Sequence, residues 1–169
     1  MSLMSGPNTR QPLYTAAQRA RRDATKWTLV QGILAPIQFV VFLISLALVL
    51  RYLSTGEGYG AANASILLKT AILYLIMVTG AIWEKVVFGQ YLLAPAFFWE
   101  DMVSFAVIFL HTLYLYGLFT GVMGPESLMW LAIAAYFIYV LNAAQFLLKL
   151  RAARLEICLL YTSPSPRDA

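Results

Sequence analysis

Three carboxylates and one histidine stand out in a stretch that is otherwise rich in apolar and aromatic residues. Glu84, Glu100 and Asp101 lie within residues 83–111, each within two residues of a tryptophan, and His111 is the chain's only histidine. Carboxylates between long uncharged runs are costly for a membrane protein to keep, so they are candidates for a functional site. Two carboxyl groups close together can divide the work of adding or removing water, because one delivers a proton while the other steers the nucleophile.

The same residues have a simpler interpretation. Carboxylates at helix ends also serve as caps, and a lone histidine inside a membrane bundle is more often a hydrogen-bonded bundle residue than a ligand. One histidine and one cysteine do not make a metal-binding pattern, and the sequence has no phosphate-binding glycine loop or Ser-His-Asp order. Capping and acid–base catalysis therefore both remain open.

The composition predicts a membrane protein. The 169 residues are 61% hydrophobic and 12% charged, against about 25% charged in soluble domains. Four apolar segments are each long enough to cross a hydrocarbon core of about 30 Å. We therefore predict an all-α fold, an integral membrane four-helix bundle. Its transmembrane helices are expected at about residues 28–51, 62–84, 98–120 and 127–149.

The two ends of the chain differ from this apolar core. Residues 1–12 are polar and are expected to form a disordered lead. Thr15 and Gln18 have capping-box spacing and begin a basic segment, which predicts a short amphipathic helix lying on anionic headgroups. We expect no nucleic-acid binding, because no further basic surface extends this helix. Residues 158–169 resemble a translated sequencing-library adapter, so we expect them not to be native and assign 13–157 to one transmembrane domain.

Charge and spacing give an expected orientation. Basic residues cluster before the first helix and after the fourth, so the positive-inside rule places both termini in the cytoplasm. The loop from Glu84 to Asp101 is then cytoplasmic too. Eleven residues, or about 16 Å of helix rise, separate Glu100 from His111, which puts His111 near the middle of the bilayer. Lys69 lies about two turns into the second helix. We expect it to snorkel outward, although it could instead point inward at an anion.

Several long strings of the sequence resemble the 3-vinyl (2-vinyl in older nomenclature) bacteriochlorophyllide hydratase family. The resemblance spans about residues 13–156 and includes W-T-L-V-Q-G-I-L-A-P-I-Q-F from Trp27, I-M-V-T-G-A-I-W-E-K-V-V-F-G-Q from Ile76 and L-A-P-A-F-F-W-E-D from Leu93. It implies hydration of the ring-A vinyl group of chlorophyllide a, or of bacteriochlorophyllide, to a 1-hydroxyethyl group. It also implies a multi-pass protein of the bacterial inner (intracytoplasmic) membrane that acts in bacteriochlorophyll a synthesis.

The resemblance and the residues together suggest a mechanism. We expect Glu84, Glu100 and Asp101 to be catalytic: one protonates the terminal vinyl carbon, and water held by another adds to the resulting cation. The reaction needs no cofactor, and magnesium enters only as part of the substrate. A slot between helices would suit this flat apolar macrocycle. Expected substrate-binding residues are His111 as a magnesium ligand, Lys85 or Lys69 for the propionate, and Trp83, Trp99, Gln38 and Asn142.

Two alternatives belong to other classes of protein. A non-catalytic tetrapyrrole carrier or assembly factor would use His111 to bind pigment and the carboxylates only as caps. A structural membrane subunit would bind no pigment and use its polar stripes to hold helices together. A second copy of the chain or other enzymes of the pathway are further candidate partners, because four helices leave little room for a macrocycle in their own core.

Overall fold

The computed structural model describes residues 11–162, and in this part of the chain all regular structure is helical. The helices are α1 Ala16–Ala24, α2 Lys26–Thr55, α3 Tyr59–Phe88, α4 Phe98–Thr120 and α5 Pro125–Thr162. The last four are long and apolar enough to cross a membrane. The predicted all-α architecture with four membrane-spanning helices and a short helix before them is confirmed.

The short first helix forms as its capping signal predicts. The Thr15 hydroxyl accepts the Gln18 backbone N–H, and the Gln18 side chain accepts the Thr15 backbone N–H. Two orphan N–H groups are thereby satisfied, which allows nine residues to hold a helix. At the far end of α3, Gly89 lies in the left-handed region with φ 88° and ends the helix. A glycine is favoured there because it carries no Cβ to strain that conformation.

The helices pack as two neighbouring pairs, α2 along α3 and α4 along α5, with α2 also contacting α5. Buried residues of all four form one apolar core, which includes Phe42, Ile66, Val107 and Tyr136. The start of α2, the end of α3, the start of α4 and the latter part of α5 lie at one end of the bundle. We call this the carboxylate end, because Glu84, Glu100 and Asp101 lie there.

The N-terminal segment covers the carboxylate end. Tyr14 is buried and stacks on Phe88 at 5.8 Å between ring centroids. Arg21 of α1 donates to the carbonyl of Val87 at 3.0 Å, and the Leu13 backbone N–H donates to Glu156 of α5 at 3.2 Å. A helix expected only to rest on headgroups is therefore also fixed to the protein.

The expected helix boundaries were correct for α4 and too narrow for the others. The prediction ended the second helix at residue 84 and the fourth at 149, whereas α3 continues to Phe88 and α5 to Thr162. The predictions stopped where apolar residues gave way to charge, but a helix continues through the interface until its backbone is capped. Most of the expected disordered lead, residues 1–10, lies outside the described residues, as do residues 163–169 of the suspected adapter segment.

Candidate active site at the carboxylate end

Glu84 and Asp101 form a buried pair between α3 and α4. The two residues are 5% and 3% exposed, and their carboxyl groups accept the backbone N–H groups of two consecutive residues, Ala94 and Leu93, so they lie side by side. Two buried carboxyl groups this close disfavour having both charged at once, as in carboxylate dyads. The pair is therefore suited to holding a proton donor beside a charged acceptor.

The loop between α3 and α4 is folded around this pair. The Leu93 backbone N–H donates to Asp101 Oδ2 at 2.7 Å, and the Ala94 backbone N–H donates to Glu84 Oε2 at 3.3 Å. Leu93 has φ 59°, a left-handed conformation that is uncommon for a non-glycine residue. The two carboxyl groups thus hold a strained turn in place, so a capping function is real whether or not they also do chemistry.

Glu100 lies beside the pair but has a different partner. Its Oε2 accepts the ammonium of Lys149 at 2.7 Å, and the same ammonium donates to the carbonyl of Ala96. The Glu100 side chain is 8% exposed and that of Lys149 26% exposed. Its ion pair with Lys149 and its place beside the Glu84–Asp101 pair suit Glu100 to orient a water molecule.

Asn142 fixes the first turn of α4 against α5. Its amide donates to the main-chain carbonyl of Glu100 at 2.8 Å, and its Oδ1 accepts the Ser104 hydroxyl at 3.1 Å. Ser104 also donates to the Glu100 carbonyl at 2.8 Å. Asn142 therefore holds the main chain of Glu100 in place.

The remaining interfacial residues that we expected at the site differ in their surroundings. Trp83 donates its indole N–H to the Thr28 hydroxyl at 2.9 Å, which ties α3 to the start of α2. Trp99 is 70% exposed on the outer side of α4. Lys85 is exposed and donates to the carbonyl of Gly89 at 2.8 Å, so it caps the end of α3.

Lys69 and His111 form a second polar group, deep in the bundle. The expectation that Lys69 snorkels outward was wrong: the residue is 0% exposed and its Nζ lies 3.7 Å from the centroid of the Tyr139 ring. The face of α3 that carries Lys69 packs against aromatic residues of α2 and α5, and this enclosure leaves no path to the interface. His111 donates Nδ1–H to the Val107 carbonyl at 2.8 Å, because a carbonyl can only accept.

Several polar atoms of this deep region lack a hydrogen-bond partner among residues 11–162. They are Lys69 Nζ, His111 Nε2 and Gln38 Nε2. Gln38 is buried on α2, and Ser45 of the same helical stripe bonds to Tyr136 at 2.6 Å. Both side chains therefore point into the bundle.

The two polar groups lie at different depths of the bundle. Fifteen residues, or about 22 Å of helix rise, separate Lys69 from Glu84, and about 16 Å separates His111 from Glu100. The roles expected for His111 as a magnesium ligand and for Lys69 as a propionate partner stay predictions.

An apolar groove of about 510 Å³ runs along the outer side of the α4–α5 pair. It is lined by Trp99, Met102, Val103, Ala106, Ile138, Leu141 and Gln145. Trp99 and Gln145 mark the end of the groove that lies next to Glu100 and Lys149. Within residues 11–162, no group of three or more His, Cys, Asp or Glu side chains is arranged to hold a metal ion.

Sequence reasoning missed three elements of this site. Lys149 was assigned only to the basic end of the fourth helix. Its position one turn after Gln145 was the signal that it could lie on the same helix face and pair with Glu100. The backbone N–H groups of Leu93 and Ala94 could not be recognised from the sequence, because every residue except proline carries such a donor. Tyr14 lies in a conspicuous polar segment, but its burial depends on the aromatic residues of α3 and the loop.

Comparison with known proteins shows the family of the chain. Residues 14–152 match the family model described as 2-vinyl bacteriochlorophyllide hydratase. The chain belongs to this family. It is 73% identical over 146 residues to the 2-vinyl bacteriochlorophyllide hydratase of Cereibacter sphaeroides, covering 86% of this chain and 90% of that protein. It is 67% identical over 149 residues to the protein of the same name from Rhodobacter capsulatus, covering 88% and 86%. No solved structure matches the chain.

Membership of the hydratase family bears directly on the two interpretations left open by the sequence. The family resemblance is confirmed over nearly the whole described part of the chain, and the Glu84–Asp101 pair, Glu100 and Asn142 all lie within the matched residues. A hydratase needs a proton donor and a group that orients water. The carboxylate end is the part of the described structure that brings such groups together.

Proposed function

We propose that this protein hydrates the 3-vinyl group of chlorophyllide a, or of the corresponding bacteriochlorophyllide, to a 1-hydroxyethyl group. The observation that carries the proposal is the buried Glu84–Asp101 pair with the Glu100–Lys149 ion pair beside it, in a chain of the hydratase family. The name of the family supplies the reaction, and the carboxylates supply the groups that the reaction requires.

In the first step, the protonated member of the Glu84–Asp101 pair delivers its proton to the terminal vinyl carbon. The carbon–carbon π bond supplies the electron pair for the new C–H bond, so the terminal carbon becomes a methyl group. The adjacent carbon becomes a cation, which conjugation with the macrocycle stabilises. A positioned general acid contributes about 10²–10⁴-fold to such a step.

In the second step, water adds to the cation. Glu100, held in place by Lys149 and by the backbone contact of Asn142, orients the water molecule. The oxygen forms the new C–O bond, and the proton that it loses returns to the carboxylate group. No net proton is consumed, and the 1-hydroxyethyl product leaves the pair ready for another cycle. The reaction requires no redox or organic cofactor, and magnesium belongs to the substrate.

The same proposal includes the location of the site. Basic residues at both ends of the helical chain favour a cytoplasmic carboxylate end in the bacterial inner (intracytoplasmic) membrane. At that face the enzyme could receive a substrate whose macrocycle lies in lipid and whose propionate lies in water.

The experiment is to express the full chain in membranes, supply chlorophyllide a and follow the products by absorbance and mass. We expect a product that has gained one water and lost the vinyl group. Chlorophyllide that co-purifies with the protein but is never hydrated would overturn the proposal in favour of a carrier. Chlorophyllide that neither binds nor reacts would favour a structural subunit.

A further inference from the structure

The groove on the α4–α5 pair has a polar end and an apolar body. Its body is formed by Met102, Val103, Ala106, Ile138 and Leu141, and the groove, of about 510 Å³, is open along its outer side. Gln145 contributes a polar group at the end near the carboxylates. A ligand that fits this surface is apolar over most of its length and polar at one end.

Lys149 supplies a cation at that polar end. It lies one turn after Gln145 and two turns after Leu141, on the same face of α5 that lines the groove. A lysine ammonium has three N–H donors. Two of those of Lys149 are used by Glu100 and the Ala96 carbonyl, and the side chain is 26% exposed. One donor is therefore left for an anion that arrives along the groove.

Trp99 adds an aromatic surface at the same place. It is 70% exposed, lines the groove and directly precedes Glu100 in the first turn of α4. A flat conjugated ring that lay in the groove could stack on this indole. The groove, an exposed aromatic ring and the Lys149–Glu100 ion pair thus follow one another along the outer side of the α4–α5 pair.

We propose that this groove is the surface on which the substrate, a planar, apolar macrocycle with one carboxylate, first docks as it arrives from the lipid. The macrocycle lies along Met102, Ala106 and Leu141, and its carboxylate accepts the third N–H of Lys149. This inference rests on the proposed function, since it names where that substrate binds. It differs from the expected propionate partners, Lys85 and Lys69, because the first caps α3 and the second is enclosed in the core.

The test is a binding titration of the full chain in phosphatidylcholine nanodiscs, read by quenching of tryptophan fluorescence. The ligands are chlorophyllide a and its propionate methyl ester. Ala106→Phe fills the groove, and Leu141→Trp fills it from the opposite wall. Ala47→Phe places the same bulk on an exposed position of α2 and is the control. We expect both groove variants to weaken chlorophyllide binding about tenfold or more, and the control to bind as the wild type.

The methyl ester tests the role of Lys149. Wild type should bind the free acid more tightly than the ester, and Lys149→Gln should bind the two equally. Wild-type affinity in both groove variants would overturn the inference and indicate that lipid alone fills the groove. If those variants also hydrate chlorophyllide normally, the hydratase function stands without this site. If chlorophyllide binds in the groove of wild type and is never hydrated, the binding site stands and the proposed reaction is wrong.

Discussion

Asp101→Asn is the substitution that best separates catalysis from capping. Asp101 Oδ2 accepts the Leu93 backbone N–H at 2.7 Å, and the carboxyl group lies beside that of Glu84, which accepts the next backbone N–H. An asparagine keeps an oxygen for Leu93 and offers an N–H to Glu84, so both contacts survive. The proton that the pair would deliver to the substrate is lost. The side chain is 3% exposed, so solvent does not readily replace it.

The expected magnitudes differ for the two functions. If the pair is the general acid, turnover should fall by about 10²–10⁴-fold, which corresponds to about 3–5 kcal/mol of lost transition-state stabilisation. Because the hydrogen bonds to the loop are retained, the free energy of unfolding should change by less than about 1 kcal/mol. Asp101→Ala leaves the Leu93 N–H buried without a partner, which should cost about 1–3 kcal/mol.

The assay measures hydration of chlorophyllide a by membranes that contain equal amounts of folded variant. Thermal unfolding in detergent is measured in parallel, and Glu84→Gln provides the matched substitution on the other side of the pair. The Glu84→Gln, Asp101→Asn double variant should be no slower than either single variant, because the two groups act as one unit.

A single result would refute this reasoning. If Asp101→Asn and Glu84→Gln both hydrate chlorophyllide at the wild-type rate while Asp101→Ala is unstable, the pair serves only to hold the Leu93–Ala94 turn. The acid would then have to be sought elsewhere. Inactivity of Asp101→Asn accompanied by a large loss of stability would instead mean that the loop had been disturbed, and the kinetic result could not be read as loss of an acid.

Three further predictions concern other parts of the molecule. Glu100→Gln should lower kcat by about 10²-fold or more with little change in KM, because it weakens the orientation of water; an unchanged kcat in steady-state hydration assays would exclude that role. Lys69→Met should raise the free energy of unfolding by about 1 kcal/mol, because removing a buried nitrogen without a hydrogen-bond partner outweighs the loss of its cation–π contact with Tyr139. Hydration should continue at the wild-type rate, and a destabilised variant would contradict this prediction. Burial raises the pKa of the Tyr14 phenol above 10.0, so docking of the N-terminal segment should be fully stable below pH 10 and weaken as the pH rises through the higher folded value; proteolysis of that segment across alkaline pH should detect the loss in wild type but not in Tyr14→Phe.

Much of the fold was predictable because its signals are local. Four apolar runs long enough to cross a bilayer and a capping box at Thr15 each act through nearby residues and the surrounding solvent. The helix ends were less predictable, as α5 shows. Its apolar residues give way to charged ones from Lys149, but nothing in the sequence there ends the helical backbone. Orientation in the membrane depends on the lipid and stays a prediction from the basic residues.

The site was predictable only in part. The types of Glu84, Glu100 and Asp101 and their place between apolar runs marked them as candidates, and the family resemblance supplied the reaction. Sequence spacing could not say that Glu84 pairs with Asp101 while Glu100 pairs with Lys149, because those contacts join α3, α4 and α5. It also predicted the wrong direction for Lys69, since a lysine two turns into a helix can reach the interface unless neighbouring helices enclose it.

The sequence by itself therefore determined a chain of membrane helices with carboxylates at one end and the family to which it belongs, because apolar length, capping and long matched strings need no tertiary contact. Only the tertiary structure decided that Glu84 lies beside Asp101, that Glu100 pairs with Lys149, and that Lys69 and His111 are enclosed in the core. Those outcomes depend on which helix faces touch, and a free energy of packing spread over many side chains sets that arrangement.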